Sequence, residues 1–140
     1  MDNHTQEQRH YNMSQIKSKN TKPEDFVRKH LFANGFRFRK NDKRYAGHPD
    51  IVLPKYKTII FINGCFWHMH GCKDFVLPKS NLEYWAPKLE RNKERDERNI
   101  QLLQSDGWHV IIIWECELKT VSDRKLRMEQ LIQELKSQKP

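Results

Sequence analysis

The apolar run Thr58 to Ile62 ends in Asn63-Gly64-Cys65-Phe66-Trp67-His68-Met69-His70-Gly71-Cys72, and no other stretch constrains the chain so tightly. A buried strand must deliver two thiols, two imidazoles and two adjacent aromatic rings to one place. Such a cluster serves to bind metal, to do chemistry, or both. It holds two of the three cysteines and two of the seven histidines.

The remaining punctuation sets an α/β order for one domain over residues 21–140, preceded by a polar arm, residues 1–20. Thr21-Lys22-Pro23-Glu24 predicts a helix start, with Thr21 as N-cap, Pro23 in the first turn and Glu24 at the capping-box position. This helix is expected to bury Phe26, Val27, His30 and Leu31 and to stop at Gly35. Phe36 to Lys40 alternates aromatic and basic residues, as in a half-exposed strand. Asp50 to Pro54 and Lys57 to Ile62 read as a hairpin of buried strands. Lys88 to Ser105 reads as a long charged helix, Trp108 to Trp114 as a central strand and Asp123 to Lys136 as a closing amphipathic helix. The order predicts a sheet covered by helices on both faces.

Charge narrows the partner. The chain carries a net charge of +8, and residues 1–44 hold eleven Lys/Arg against five Asp/Glu. A basic half of this kind favours nucleic acid, because each cation near a phosphate releases a condensed counterion. The alternative is charge that only aids solubility. No apolar run approaches the ~18 residues of a membrane span, residues 1–10 lack a signal-peptide core, and three cysteines make no disulfide framework. A cytoplasmic protein with thiols as ligands or core residues is expected, with Cys65 packed in the core.

His70 and Cys72 offer two metal ligands on a tight loop, and Cys116, just past the Trp108–Trp114 strand, offers a third. A structural zinc takes four ligands. Leu89, Asp96, Ile100 and Leu103 share one helix face, which puts a carboxylate on a buried stripe where it needs a strong partner. Zinc held by His70, Cys72, Asp96 and Cys116 would supply it; an ion pair with Arg or Lys is the competing reading.

Gly47-His48-Pro49-Asp50, followed by Ile51-Val52-Leu53, places a carboxylate at the mouth of a buried strand, where a nuclease holds Mg²⁺ against a phosphate. A Pro-Asp strand start resembles the PD-(D/E)xK nucleases. Their second strand carries acid-x-Lys, but here Phe61-Ile62-Asn63 stands at those positions. Glu24 and His68 are the candidates to fill the gap, Glu24 as a further acid or only a cap, His68 as general base or phosphate contact. Adjacent Phe66 and Trp67 cannot both face one side of a strand, so at least one is expected to project, unless both tuck into a cap over the core. A projecting ring, with Trp85 as a candidate to join it, can stack on bases or wedge between base steps.

Thr21-Lys22-Pro23-Glu24, Pro49-Asp50, Gly64-Cys65-Phe66-Trp67-His68, Glu94-Arg95-Asp96 and Trp114-Glu115-Cys116 occur together and in this order. With them the chain closely resembles the very short patch repair (Vsr) endonucleases, from about Asn12 to about Leu118. The resemblance implies a restriction-endonuclease-like fold and a bacterial enzyme that nicks duplex DNA 5′ to the thymine of a T:G mismatch left by 5-methylcytosine deamination. It implies catalytic Mg²⁺ and structural zinc. By motif, Asp50 is the principal Mg²⁺ ligand, His68 the catalytic histidine and Glu24 an active-site acid acting through water or a histidine. His70, Cys72, Asp96 and Cys116 hold zinc. Phe66, Trp67 and Trp85 form the wedge, and Met13 intercalates from the opposite groove. The implied partners are mismatched DNA and mismatch-repair proteins, with no membrane, and the enzyme is a monomer.

One departure stands out. Some members carry Thr-His before the GCFWH motif, where this chain has Ile62-Asn63. A metal contact through the backbone carbonyl at Ile62 survives that change, since every residue offers this oxygen. Asn63 can bond phosphate but cannot carry charge or a proton, so it is assigned to DNA contact and the catalytic weight moves to His68. Two other functions compete: a restriction- or homing-type nuclease making double-strand breaks, and a zinc-stabilised DNA-binding module without catalysis.

Overall fold

Helix α1, Lys22–Ala33, turns its Glu24, Val27, Arg28 and Leu31 inward at i, i+3, i+4 and i+7 in the computed structural model, which describes residues 22–64 and 82–138. Two charged residues therefore occupy the buried stripe. The expected set of Phe26, Val27, His30 and Leu31 is corrected by this rotation. Phe26 and His30 lie half-buried on the flank with stacked rings, centroids 6.3 Å apart. The inward charges are tolerable because Glu24 and Arg28 pair across one turn at 3.6 Å. Glu24 and Asp25 also sit in the first turn, where the helix dipole favours anions.

Gly35, at φ +89°, ends α1. The Phe36 N–H donates to the Leu31 carbonyl at 3.0 Å and the Gly35 N–H to that of Phe32 at 3.1 Å, the paired bonds of a Schellman cap. Phe36 thus belongs to the cap, and Arg37 points its guanidinium at the Phe32 and Phe36 carbonyls. The strand expected over residues 36–40 shrinks to β1, Arg39–Lys40.

Three further strands complete the sheet: β2, Ile51–Leu53; β3, Thr58–Asn63; and β4, His109–Trp114. Their order is β1-β2-β3-β4, with β1/β2 and β2/β3 antiparallel and β3/β4 parallel. A parallel pair needs a crossover, and helix α2, Leu82–Ser105, lies in that connection. Helix α3, Val121–Ser137, closes the described chain, with the Thr120 hydroxyl accepting the Asp123 N–H at 3.0 Å as N-cap.

Strand alternation sorts the core into two layers. Ile60 and Ile62 of β3 pack with Ile111 and Ile113 of β4 against Val27, Leu31, Met128, Leu131 and Leu135 of α1 and α3. Ile59 and Phe61 face the other way, toward Val52, Val110 and Leu103 of α2. Both faces of the sheet are covered, as the apolar runs predicted. His109, the polar residue at the start of β4, bonds Glu134 of α3 through Nε2 at 2.6 Å. No helix among the described residues is long and apolar enough to cross a membrane.

The register fixes where function can lie. Asn63 pairs with Trp114, so β3 and β4 end side by side. The segment entered at Gly64 and the 3₁₀ turn Glu115–Leu118 both leave from that end of the sheet.

Candidate active site

Asp50 immediately precedes β2, and Ile51 pairs with Ile60 on β3. This register brings the Ile62 N–H onto the Asp50 carboxylate, donating to Oδ2 at 2.7 Å. Glu24, 3% exposed, reaches the same point from α1 and shares a hydrogen bond with Asp50. Burial pushes the Asp50 carboxyl up to about 7; the Glu24 charge adds to the rise, while the Ile62 N–H and Arg28 pull against it. Two acids in one partly dry corner favour a shared proton or a cation between them. Arg28, beside Glu24 and also bonded to Asp25, supplies the positive charge on the helix side.

The pair opens into a cavity of about 420 Å³. Its walls come from α1 (Glu24), the β1–β2 loop (Asn41, Lys43, Gly47 and His48), β3 (Phe61, Ile62 and Asn63) and α2 (Asp96, Asn99 and Ile100). The loop is held close. Gly47 has φ +80°, and a Cβ there would stand 3.0 Å from the Phe61 ring and 3.3 Å from the Asn99 amide nitrogen. Only glycine combines that backbone with that approach. His48 follows, also left-handed at φ +49°, and Pro49 then sets Asp50 at the strand mouth.

Four of the residues singled out in the sequence thus meet: Glu24, Asp50, Ile62 and Asn63 line one cavity, with Asp96 on its α2 wall. Glu24 turns its carboxyl to Asp50, which makes it more than a cap. Asp96 shares its helix face with buried Leu89 and Leu103. Cys116 is half-buried on the turn after β4. Among the described residues no group of three or more His, Cys, Asp or Glu could hold a metal ion. Met13, Cys65, Phe66, Trp67, His68, His70 and Cys72 lie outside the described residues.

Trp85 requires a correction. Its indole is 6% exposed and meets the Tyr84 ring edge-on at 4.9 Å. It is not a projecting ring, because it stands four residues before Leu89 on the buried stripe of α2; Tyr84, 55% exposed, is the outward aromatic. The sequence reading also missed Asn41, Lys43, His48 and Asn99. Asn99 carried a signal, lying three residues after Asp96 on the same face. His48 stands in the Gly47-His48-Pro49-Asp50 motif without a role assigned to it, while Asn41 and Lys43 carry no signal, since only tertiary packing brings them to Asp50.

A mixed four-stranded sheet between helices, with an acidic pair at a strand mouth, fits the restriction-endonuclease-like class. Residues 1–74 match the family described as DNA mismatch endonuclease Vsr. The chain is 52% identical to a Neisseria meningitidis serogroup A protein named as a type II nicking enzyme, over 94% of each chain. A Xanthomonas oryzae protein, also named as a type II nicking enzyme, is 45% identical over 90% of this chain and 93% of its own. The Escherichia coli DNA mismatch endonuclease Vsr is 41% identical over 84% of this chain and 76% of its own. The chain belongs to the Vsr family of DNA endonucleases.

Proposed function

We propose that this enzyme nicks one strand of duplex DNA on the 5′ side of the thymine in a T:G mismatch, with Mg²⁺ at Asp50. The observation that carries this reading is the buried Asp50–Glu24 pair opening into a cavity beside the end of β3. The relative named as a mismatch endonuclease supports the substrate, and the relatives named as nicking enzymes support a single-strand cut.

Mg²⁺ binds oxygen ligands through one or two carboxylates and keeps waters and phosphate oxygens as the rest. The Asp50–Glu24 corner fits such an ion, because its two carboxylates crowd together and burial, with Glu24 beside it, raises the Asp50 carboxyl to about 7. Asp50 and the Ile62 carbonyl would hold Mg²⁺ directly and Glu24 through water. Bound there, the ion would polarise the scissile phosphate and stabilise the leaving oxygen. The chain's own residues do the rest. His68 activates the attacking water or contacts the phosphate, Asn63 donates to phosphate, and Phe66 with Trp67 wedges the duplex open where a mismatch makes unstacking least costly. Met13 intercalates from the arm. Trp85 is buried in α2 and leaves the stacking to the other rings. The enzyme acts as a monomer in the bacterial cytoplasm, with mismatch-repair proteins as its further partners.

The test offers the enzyme matched T:G and T:A duplexes with Mg²⁺ and a supercoiled plasmid carrying the mismatch. Nicking of T:G alone and open circles from the plasmid are expected. Equal cutting of T:A overturns the mismatch reading, and linear plasmid moves the enzyme to the restriction type.

Structural zinc at His70, Cys72, Asp96 and Cys116 belongs to the same proposal. Its support is the sheet register, which starts the post-β3 segment and the Cys116 turn from neighbouring positions. One zinc per chain is expected by elemental analysis of dialysed protein. Cys116→Ala is expected to lose it and to melt at lower temperature. Zinc-free protein as stable as the purified form would refute the role.

A further inference from the structure

The lysine that restriction-type sites carry on the second strand is absent from β3, which reads Phe61-Ile62-Asn63 there. A lysine reaches the Asp50 cavity from another element. Lys43, on the β1–β2 loop, lines it together with Glu24, Asp50 and Asp96.

The loop around Lys43 is fixed. The Asn41 and Asp42 N–H groups donate to the Asp50 and Pro49 carbonyls at 3.1 and 3.3 Å, extending the β1/β2 pairing toward the cavity. Gly47 seats the far side of the loop against Phe61 and Asn99. The neighbouring charges are already matched to each other. Arg44 bonds Asp42 through two side-chain nitrogens, at 3.0 and 2.7 Å, and this pairing holds the Asp42 carboxyl down to about 2. Lys43 has no carboxylate at ion-pair distance among the described residues. Lys43 therefore lines, without an ion-pair partner of its own among those residues, a cavity whose Asp50 and Glu24 carboxylates would otherwise repel a phosphodiester.

We infer that Lys43 is the active-site cation of this nuclease, contacting the scissile phosphate beside Asp50 in the position that β3 leaves without a lysine. The inference rests on the reading of the Asp50 cavity as the nuclease site. A lysine suits the task from a loop, since a compact ammonium on a four-carbon stem reaches a phosphate without fixed fork geometry. It would offset the repulsion in the ground state and donate hydrogen bonds to the oxygens as charge builds on them during hydrolysis.

The experiment compares wild type, Lys43→Met, Lys43→Arg and Asp50→Asn on a T:G duplex. Single-turnover nicking is measured at saturating enzyme with Mg²⁺, and DNA binding in metal-free buffer as a function of salt. Lys43→Met is expected to nick about 10²-fold more slowly. Its log-affinity against log-salt slope is expected to flatten by about 0.9, the loss of one phosphate contact. Lys43→Arg should keep the slope and recover part of the rate. Because Lys43 is exposed, all Lys43 variants should melt with wild type. A Lys43→Met rate within threefold of wild type, or an unchanged slope, overturns the assignment while Asp50→Asn stays inactive. An active Asp50→Asn instead removes the nuclease site on which the assignment depends.

Discussion

Asp50→Asn is expected to lose at least about 10³-fold in nicking rate, roughly 4 kcal/mol of barrier, and at the same time to stabilise the metal-free protein at alkaline pH. The second effect follows from the direction of the Asp50 shift. An ordinary aspartate titrates near 3.8, whereas burial first and Glu24 after it hold this one up to about 7. The native state therefore binds a proton that the unfolded chain has already released. The stability associated with that proton is complete below the unfolded value and is lost as pH rises through about 7. The whole interval corresponds to roughly 4 kcal/mol at most. Asparagine cannot ionise, yet its oxygen still accepts the Ile62 N–H and its amide can face Glu24. Urea unfolding in chelator should give matching stabilities for the two proteins near pH 3, below the unfolded value of 3.8. The variant should then pull ahead across pH 5 to 8 by a few kcal/mol. Curves that stay parallel over that range would mean the acids are not crowded in solution.

That trade locates what could be read from residues alone. Apolar runs specify β2, β3 and β4 because both faces of this sheet are covered, so packing and pattern agree. Pro-Asp before β2 marked Asp50 because a carboxylate at the mouth of a buried strand has few structural uses. The charged pattern places the start of α2 at Lys88, six residues late; the helix begins at Leu82 and carries Pro87 within it. Glu24 was open between cap and catalyst, since a first-turn acid serves both and only the rotation of α1 decides. Arg28 was not singled out at all. In sequence it is one of many cations, and its burial depends on Glu24 and Asp50 meeting from separate elements. The β1–β2 loop was opaque for the same reason, as the left-handed backbone at Asn41 and His48 has no apolar pattern to announce it.

Arg28→Met should be the most damaging substitution outside the apolar core. The guanidinium is buried, at 7% exposure, with one nitrogen 3.6 Å from Glu24 and another on Asp25. Methionine fills the volume but removes the α1 cation that opposes the crowding of Glu24 and Asp50. Leaving a buried partner uncompensated costs about 3–5 kcal/mol, a large share of the ~5–15 kcal/mol of a typical domain. Because Arg28 draws the Asp50 carboxyl downward, its removal moves that carboxyl further up, and the loss should deepen as pH rises toward 8. Mg²⁺ should then raise the variant's melting point more than it raises that of wild type, since it replaces the missing positive charge. A double-mutant cycle isolates the cause. Glu24→Gln combined with Arg28→Met is expected to lose less stability than Arg28→Met alone, because the stranded acid is gone. If the two losses simply add at pH 8, Arg28 stabilises the fold by packing its stem and the charges are uncoupled. If they cancel as expected, the buried cation on α1 is what lets a folded protein keep two acids together at the site before DNA and metal arrive.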